Sequence, residues 1–147
     1  MKKSTILYIV LIVLTVLALT SIAADGGRKF TTTLTGEAEA PGPGDPDGSG
    51  TATLRLNYGQ GRVCFTISVS DVALPVTAAH IHEAPVGEPG PVVIPLFTTP
   101  DADGFISGCV SADREEIKET IQHPEEYYVN VHNAEFPGGA VRGQLSK

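Results

Sequence analysis

Tryptophan is absent from this 147-residue chain and methionine occurs once, whereas there are sixteen glycines and eleven prolines. Such a composition disfavours a helical bundle and points to a turn-rich β protein. Positive charge is also scarce, with ten Lys and Arg against seventeen Asp and Glu. An acidic surface repels phosphate backbones, which excludes nucleic acid as a natural partner. The chain has no Ser-His-Asp arrangement, no phosphate-binding P-loop and no dinucleotide glycine fingerprint. Asp45 and Asp47 in "PGPGDPDGSG" suggest calcium, but the EF-hand spacing and its closing Glu are missing. That stretch reads as a solvated hairpin loop. No internal repeat is present, and the length suits one domain after an N-terminal extension.

The extension has its own character. Lys2 and Lys3 precede an apolar run from Ile6 to Ala18, and small residues follow in "SIAAD". This is the layout of a secretory signal peptide over residues 1–24, with cleavage after Ala23 or Ala24. The alternative is an uncleaved membrane anchor, since the uncharged stretch from Ile6 to Ala24 is about long enough to span a bilayer. No cysteine lies near the junction, so lipid modification is not expected. Both readings place the domain at residues 28–147 outside the cytoplasm, secreted or at the cell surface. Removing the leader leaves eight basic and seventeen acidic side chains, a formal charge of −9. Cys64 and Cys109, the only cysteines, are then expected to form a disulfide, the other possibility being two separate buried thiols.

Within the domain, "TATLRLN" sets Ala52, Leu54 and Leu56 on one face, and "RVCFTISVS" does the same with Val63, Phe65, Ile67 and Val69. The "YGQG" between them makes a hairpin turn. Cys64 falls opposite Phe65, so a bridged Cys109 would bring its segment over the second face. Further strands are expected in "RKFTTTLTGEAEA", "VTAAHIHEA", "PVVIPLF", "FISGCVS", "EEYYVNVHN" and "AVRGQLSK". The segment "SADREEIKETIQ" is the one convincing helix, with Ser111 and Asp113 as cap candidates and Ile117 and Ile121 four apart. Seven or eight short strands with turn signals between them imply an all-β fold, an antiparallel sandwich or barrel with one short helix.

Two of the four histidines stand one residue apart in "AAHIHEAPVGEPGPVV". On a strand, residues i and i+2 share a face, so His80 and His82 project together. In "YYVNVHN", Tyr128, Asn130 and His132 share the face opposite Val129 and Val131. If the two strands adjoin, three imidazoles face one point, a donor set suited to copper or zinc. The competing reading is ordinary: polar residues facing water, with His132 bonded to a turn carbonyl. Glu83, Asn130 and Glu135 could orient the imidazoles from behind, or be solvated loop residues. Arg142, alone on the last strand, could steer an anion or pair with a carboxylate, and the ion pair is the expected use. His123, beside a proline at the helix end, is expected at the surface.

"AAHIHEAPVGEPGPVVIPL", the Gly108–Cys109 pair and "PEEYYVNVHNAEFPGGAVRGQL" together resemble the CHRD domain, named for chordin and found in many exported microbial proteins. The resemblance covers most of residues 29–146. It implies an immunoglobulin-like or Greek-key β-sandwich or barrel, and no settled activity. A fainter likeness lies behind it. "HIHE", the later "VNVHN" and "GGAVRG" are similar to the copper-ligand layout of copper/zinc superoxide dismutases. That likeness implies His80, His82 and His132 as copper ligands and Arg142 as an anion guide. The bridging histidine, the zinc-ligand loop and its aspartate have no counterpart, so zinc is not expected. The function expected is an exported, non-catalytic binding or surface module with an unknown extracellular partner, able to hold a copper-type ion. A dismutase-like redox enzyme and a copper carrier are the alternatives.

Overall fold

The computed structural model describes residues 26–147, so the reading of residues 1–24 as a leader lies outside them. Eight strands form in chain order: β1 (Arg28–Thr35), β2 (Ser49–Asn57), β3 (Arg62–Ser70), β4 (Val76–Glu83), β5 (Val92–Phe97), β6 (Phe105–Ser111), β7 (Tyr127–Asn133) and β8 (Val141–Gln144). Helix α1 (Arg114–Gln122) and a 3-10 turn at Pro124–Glu126 sit between β6 and β7. The strands make one antiparallel sheet in the order β5-β4-β7-β8-β1-β2-β3-β6, curled into a nearly closed barrel. Of the two expected architectures, the barrel is the one found.

Alternation builds the inside. Ala52, Leu54 and Leu56 of β2 and Val63 and Ile67 of β3 are fully buried, and Leu54 lies opposite Phe65 in the ladder. Ala79 and Ile81 of β4, Val129 and Val131 of β7, and Val141 of β8 complete the lining. Each large aliphatic side chain enclosed this way contributes roughly 1.5–3 kcal/mol of transfer free energy. Ile117 of α1 plugs into the same core. The helix starts where Asp113 accepts the Glu115 N–H at 2.8 Å and stops before Pro124. His123 is exposed at its C-cap, as expected.

Two expectations need correcting. Cys64 and Cys109 are disulfide-bonded, but they are register partners on adjacent strands. The segment carrying Cys109 therefore lies beside β3 rather than over its outer face. The β1–β2 connection is also not a freely solvated hairpin. Strand β1 ends at Thr35, and the following residues fold back on the barrel, with the Asp45 N–H donating to Ala140 O at 2.8 Å. Glu39 in this loop is only 9% exposed. The same side of the barrel is drawn tight between β8 and β1. A Cβ on Gly143 would lie 2.4 Å from Thr33 O, so only glycine allows the two strands to approach.

Candidate metal centre

The alternation that sends Ala79, Ile81, Val129, Val131 and Val141 inward sends another set outward. His80 and His82 of β4, Tyr128, Asn130 and His132 of β7, and Arg142 and Gln144 of β8 share the outer face. Strand β4 pairs with β7, and β7 with β8. His80 thus stands opposite Asn130, which stands opposite Arg142, while His82, Tyr128 and Gln144 make the next row. His132 lies opposite Ala78, one row further on. This face is not open to water. Every residue of β7 is buried, because the β1–β2, β4–β5 and β7–β8 connections fold over the strand.

The three imidazoles meet under this cover. Their candidate ligand atoms lie within 4.8 Å of one another. Ring centroids of His80 are 4.9 Å from His132 and 5.6 Å from His82. His82 and His132 are buried, and His80 is half-buried at the rim. Burial holds all three pKa values below the ordinary histidine range. His80 falls to about 4, through burial first and then its neighbours His132 and His82. All three rings are therefore neutral near pH 7, with one proton and one lone pair each.

Hydrogen bonds fix where those lone pairs point. The Nδ1 of His82 is 2.8 Å from Gly90 O, and the Nδ1 of His132 is 3.1 Å from Pro137 O. A carbonyl only accepts, so each ring keeps its proton on Nδ1 and turns a bare Nε2 inward. Among the described residues, the Nε2 of His82 is buried with no hydrogen-bond partner. The Nε2 of His132 lies 3.1 Å from His80 Nδ1 and 2.9 Å from Asn130 Oδ1. An orphaned buried lone pair is costly unless a cation or donor meets it. Three converging neutral imidazoles, two of them oriented by backbone carbonyls, are a donor set that fits a copper-type ion.

Arg142 has a different place from the one expected. It is 1% exposed, and among the described residues none of its hydrogen bonds goes to a carboxylate. Its Nη1 donates to Glu88 O at 2.7 Å, and its Nη2 donates to Pro85 O at 2.9 Å and Gln144 Oε1 at 3.0 Å. Its Cζ sits 3.4 Å from the centre of the Tyr128 ring, which also stacks with His82 at 4.8 Å. The Tyr128 hydroxyl accepts the Gly90 N–H at 3.2 Å, and Gln144 Nε2 donates to Ala84 O at 2.9 Å. Together these side chains fasten the β4–β5 loop, and with it the carbonyl that orients His82. The buried guanidinium is thus a fastener within the fold.

Of the three expected supporting residues, only Asn130 reaches an imidazole. Glu83 is exposed and stands opposite Tyr127 on the other side of β4, and Glu135 is exposed in the β7–β8 loop. Strand alternation explains Glu83: one position beyond His82, it must face the other way. Glu39 went unnoticed in the sequence because nothing in "TGEAEAPG" marks a residue that folds onto a strand nearly a hundred positions later. Burial raises its carboxyl to about 7, opposed by the nearby Arg142 charge and by hydrogen bonds from the Ala40 N–H and the Asn130 amide.

The family model of the CHRD domain matches residues 30–145. No curated protein and no solved structure matches the chain.

Proposed function

The chain belongs to the CHRD domain family, and from that premise we propose an extracytoplasmic β-barrel module that captures one copper-type ion and is not an enzyme. The observation that carries this reading is the buried, unpartnered Nε2 of His82, facing two further imidazoles whose candidate ligand atoms lie within 4.8 Å. His82 and His132 would hold the ion through Nε2, and His80 through the Nδ1 that now lies beside His132 Nε2. A bound copper ion supplies a redox-capable Lewis acid at that point. The protein supplies neutral donors, carbonyls that orient two of the rings, and cover from water on all sides but the His80 rim. Location outside the cytoplasm is supported by the leader-like residues 1–24 and by the disulfide.

A binding role is favoured over turnover of a small anion because the cation on this face, Arg142, is buried and has both terminal nitrogens hydrogen-bonded within the fold. Steering requires a field that reaches solvent. The dismutase-like alternative draws on the half-exposed flank of His80, which leaves one side approachable. Metal analysis of untagged protein after exposure to copper and zinc tests the proposal. One equivalent of copper is expected, lost in His82→Ala and in His132→Ala with the fold retained. No uptake by the wild-type chain would overturn it, and superoxide turnover by the copper-loaded protein would move the assignment to the enzyme.

A further inference from the structure

The barrel is left nearly closed because no ladder joins its end strands, β5 and β6. An unpaired edge is a template for another strand unless charge, proline or irregularity protects it. The two edges differ in this respect. Strand β5 contains Pro95, follows Pro91, and pairs with β4 through two register shifts. Strand β6 reads "FISGCVS", seven residues with no charge and no proline. It pairs with β3 in unbroken register from Arg62–Ser111 to Ser68–Phe105.

That ladder fixes which backbone groups β6 presents. Just beyond its two ends, the Val69 N–H donates to Gly104 O at 2.9 Å and the Ala112 N–H donates to Gly61 O at 3.0 Å. Hydrogen-bonded and non-bonded pairs alternate along an antiparallel ladder. The bonded pairs are therefore Val63–Val110, Phe65–Gly108 and Ile67–Ile106. Phe105, Ser107, Cys109 and Ser111 turn both N–H and C=O away from β3. Among the described residues, none of these outward groups has a hydrogen-bond partner, and all four residues are exposed. Ile106 and Val110 face the core yet are only half-buried.

We infer that β6 pairs antiparallel with β6 of a second copy, joining two barrels edge to edge about a two-fold axis at Gly108. The strand is self-complementary in that register. Phe105 meets the partner's Ser111 and Ser107 meets the partner's Cys109. Every outward residue then falls in a hydrogen-bonded pair, in which it donates once and accepts once. On the inner side Ile106 meets the partner's Val110, an apolar pair in the closely spaced class that contributes most to a sheet. Moving the axis to Ser107 would set Ile106 against Gly108 and Val110 against Gly104. Moving it to Cys109 would set Val110 against Gly108. Two acidic chains can meet here because no acid lies within the seam: Asp103 and Asp113 stand beyond its ends.

Sedimentation equilibrium with a chelator present tests this independently of the metal reading, since no metal can then bridge two chains. At about 0.15 M salt, which screens charges more than about 8 Å apart, a dimer is expected. Its dissociation constant should be on the order of 10–100 µM, as suits one short edge pairing. Solvent-saturation exchange at the Phe105, Ser107, Cys109 and Ser111 amides should slow about four-fold between about 10 µM and about 1 mM protein, by mass action. The exposed Val86 amide should not change. In mixed labelled and unlabelled protein, an interchain NOE should join the Ile106 and Val110 methyls, which a single strand holds about 13 Å apart. Ser107→Pro removes an N–H that the fold does not use, and should be monomeric with a parent-like circular dichroism spectrum. A chain still monomeric at about 1 mM would overturn the inference. So would open filaments, which mean head-to-tail pairing, a dimer whose four amides stay fast, or a dimer that persists in Ser107→Pro. If that variant fails to fold, the exchange and NOE measurements on the wild-type chain decide.

Discussion

At the scale of single residues, the proton inventory is the decisive feature. A histidine that binds its proton less readily when folded destabilises the folded state as the pH falls, because the unfolded chain takes up protons that the folded one refuses. His80, at about 4 against an ordinary 6.5, loses stability through that window, and His82 and His132 act in the same direction. Glu39 acts oppositely. Its carboxyl is raised from 4.5 to about 7, so its contribution is present below pH 4.5 and is lost as the pH rises through 7. Thermal melts of the metal-free protein across pH 4–8 should show His80→Ala losing less stability than the parent between pH 6.5 and 4. Glu39→Gln should lose less than the parent between pH 4.5 and 7. Parallel curves for parent and variant would contradict the assignment. The H-x-H pair and the alternation in "YYVNVHN" were legible in the sequence because each depends only on neighbouring residues. Glu39 was not, because its environment is made by Arg142, Asn130 and Gly139, all distant in the chain.

At the scale of elements, the outer face of β4, β7 and β8 depends on the loop between β4 and β5. Arg142 binds two of its carbonyls, Gln144 a third, and Tyr128 and His82 bind the N–H and the C=O of Gly90. Removing a guanidinium that satisfies buried carbonyls costs those hydrogen bonds and strands the acceptors, about 3 kcal/mol in all. Arg142→Ala should lower stability by about that amount in urea melts. Hydrogen exchange should quicken at the Gly90 N–H while the β2–β3 amides stay protected. Uniform deprotection would mean that the arginine supports the whole barrel rather than this loop. Strands were readable as elements, since hydrophobic alternation is local. Their adjacency was not: β4 neighbours β7 across 43 intervening residues, and no local pattern specifies a partner.

At the scale of the molecule, the barrel is one sheet with β5 and β6 as its edge strands. The β8–β1 seam is short, with Thr35 and Arg142 as its register pair, reinforced by Thr32 Oγ1 donating to Gln144 O at 2.8 Å. At one edge of the sheet, β6 is tied to β3 by the ladder and by Cys64–Cys109, which span 45 positions in sequence. Closing a loop of that length restricts the unfolded chain by about 4 kcal/mol in the chain-entropy account. Reduction should therefore lower the melting temperature by roughly 10–15 °C for a domain of this size. An unchanged melting temperature in reductant would show that the bridge adds nothing to the cooperative unit.

The sequence by itself determined the all-β character, the strand segments, the single capped helix, and the shared face of His80 and His82. All of these follow from side-chain periodicity and turn chemistry within a few residues. Only the tertiary structure decided that His132 meets His80 and His82, that Arg142 fastens a loop from within, and that Glu39 is buried against Gly139. Those outcomes depend on which strands pair and which loops fold over them. Pairing is set by the closure of the whole core, a sum over contacts distant in the chain that no short stretch encodes.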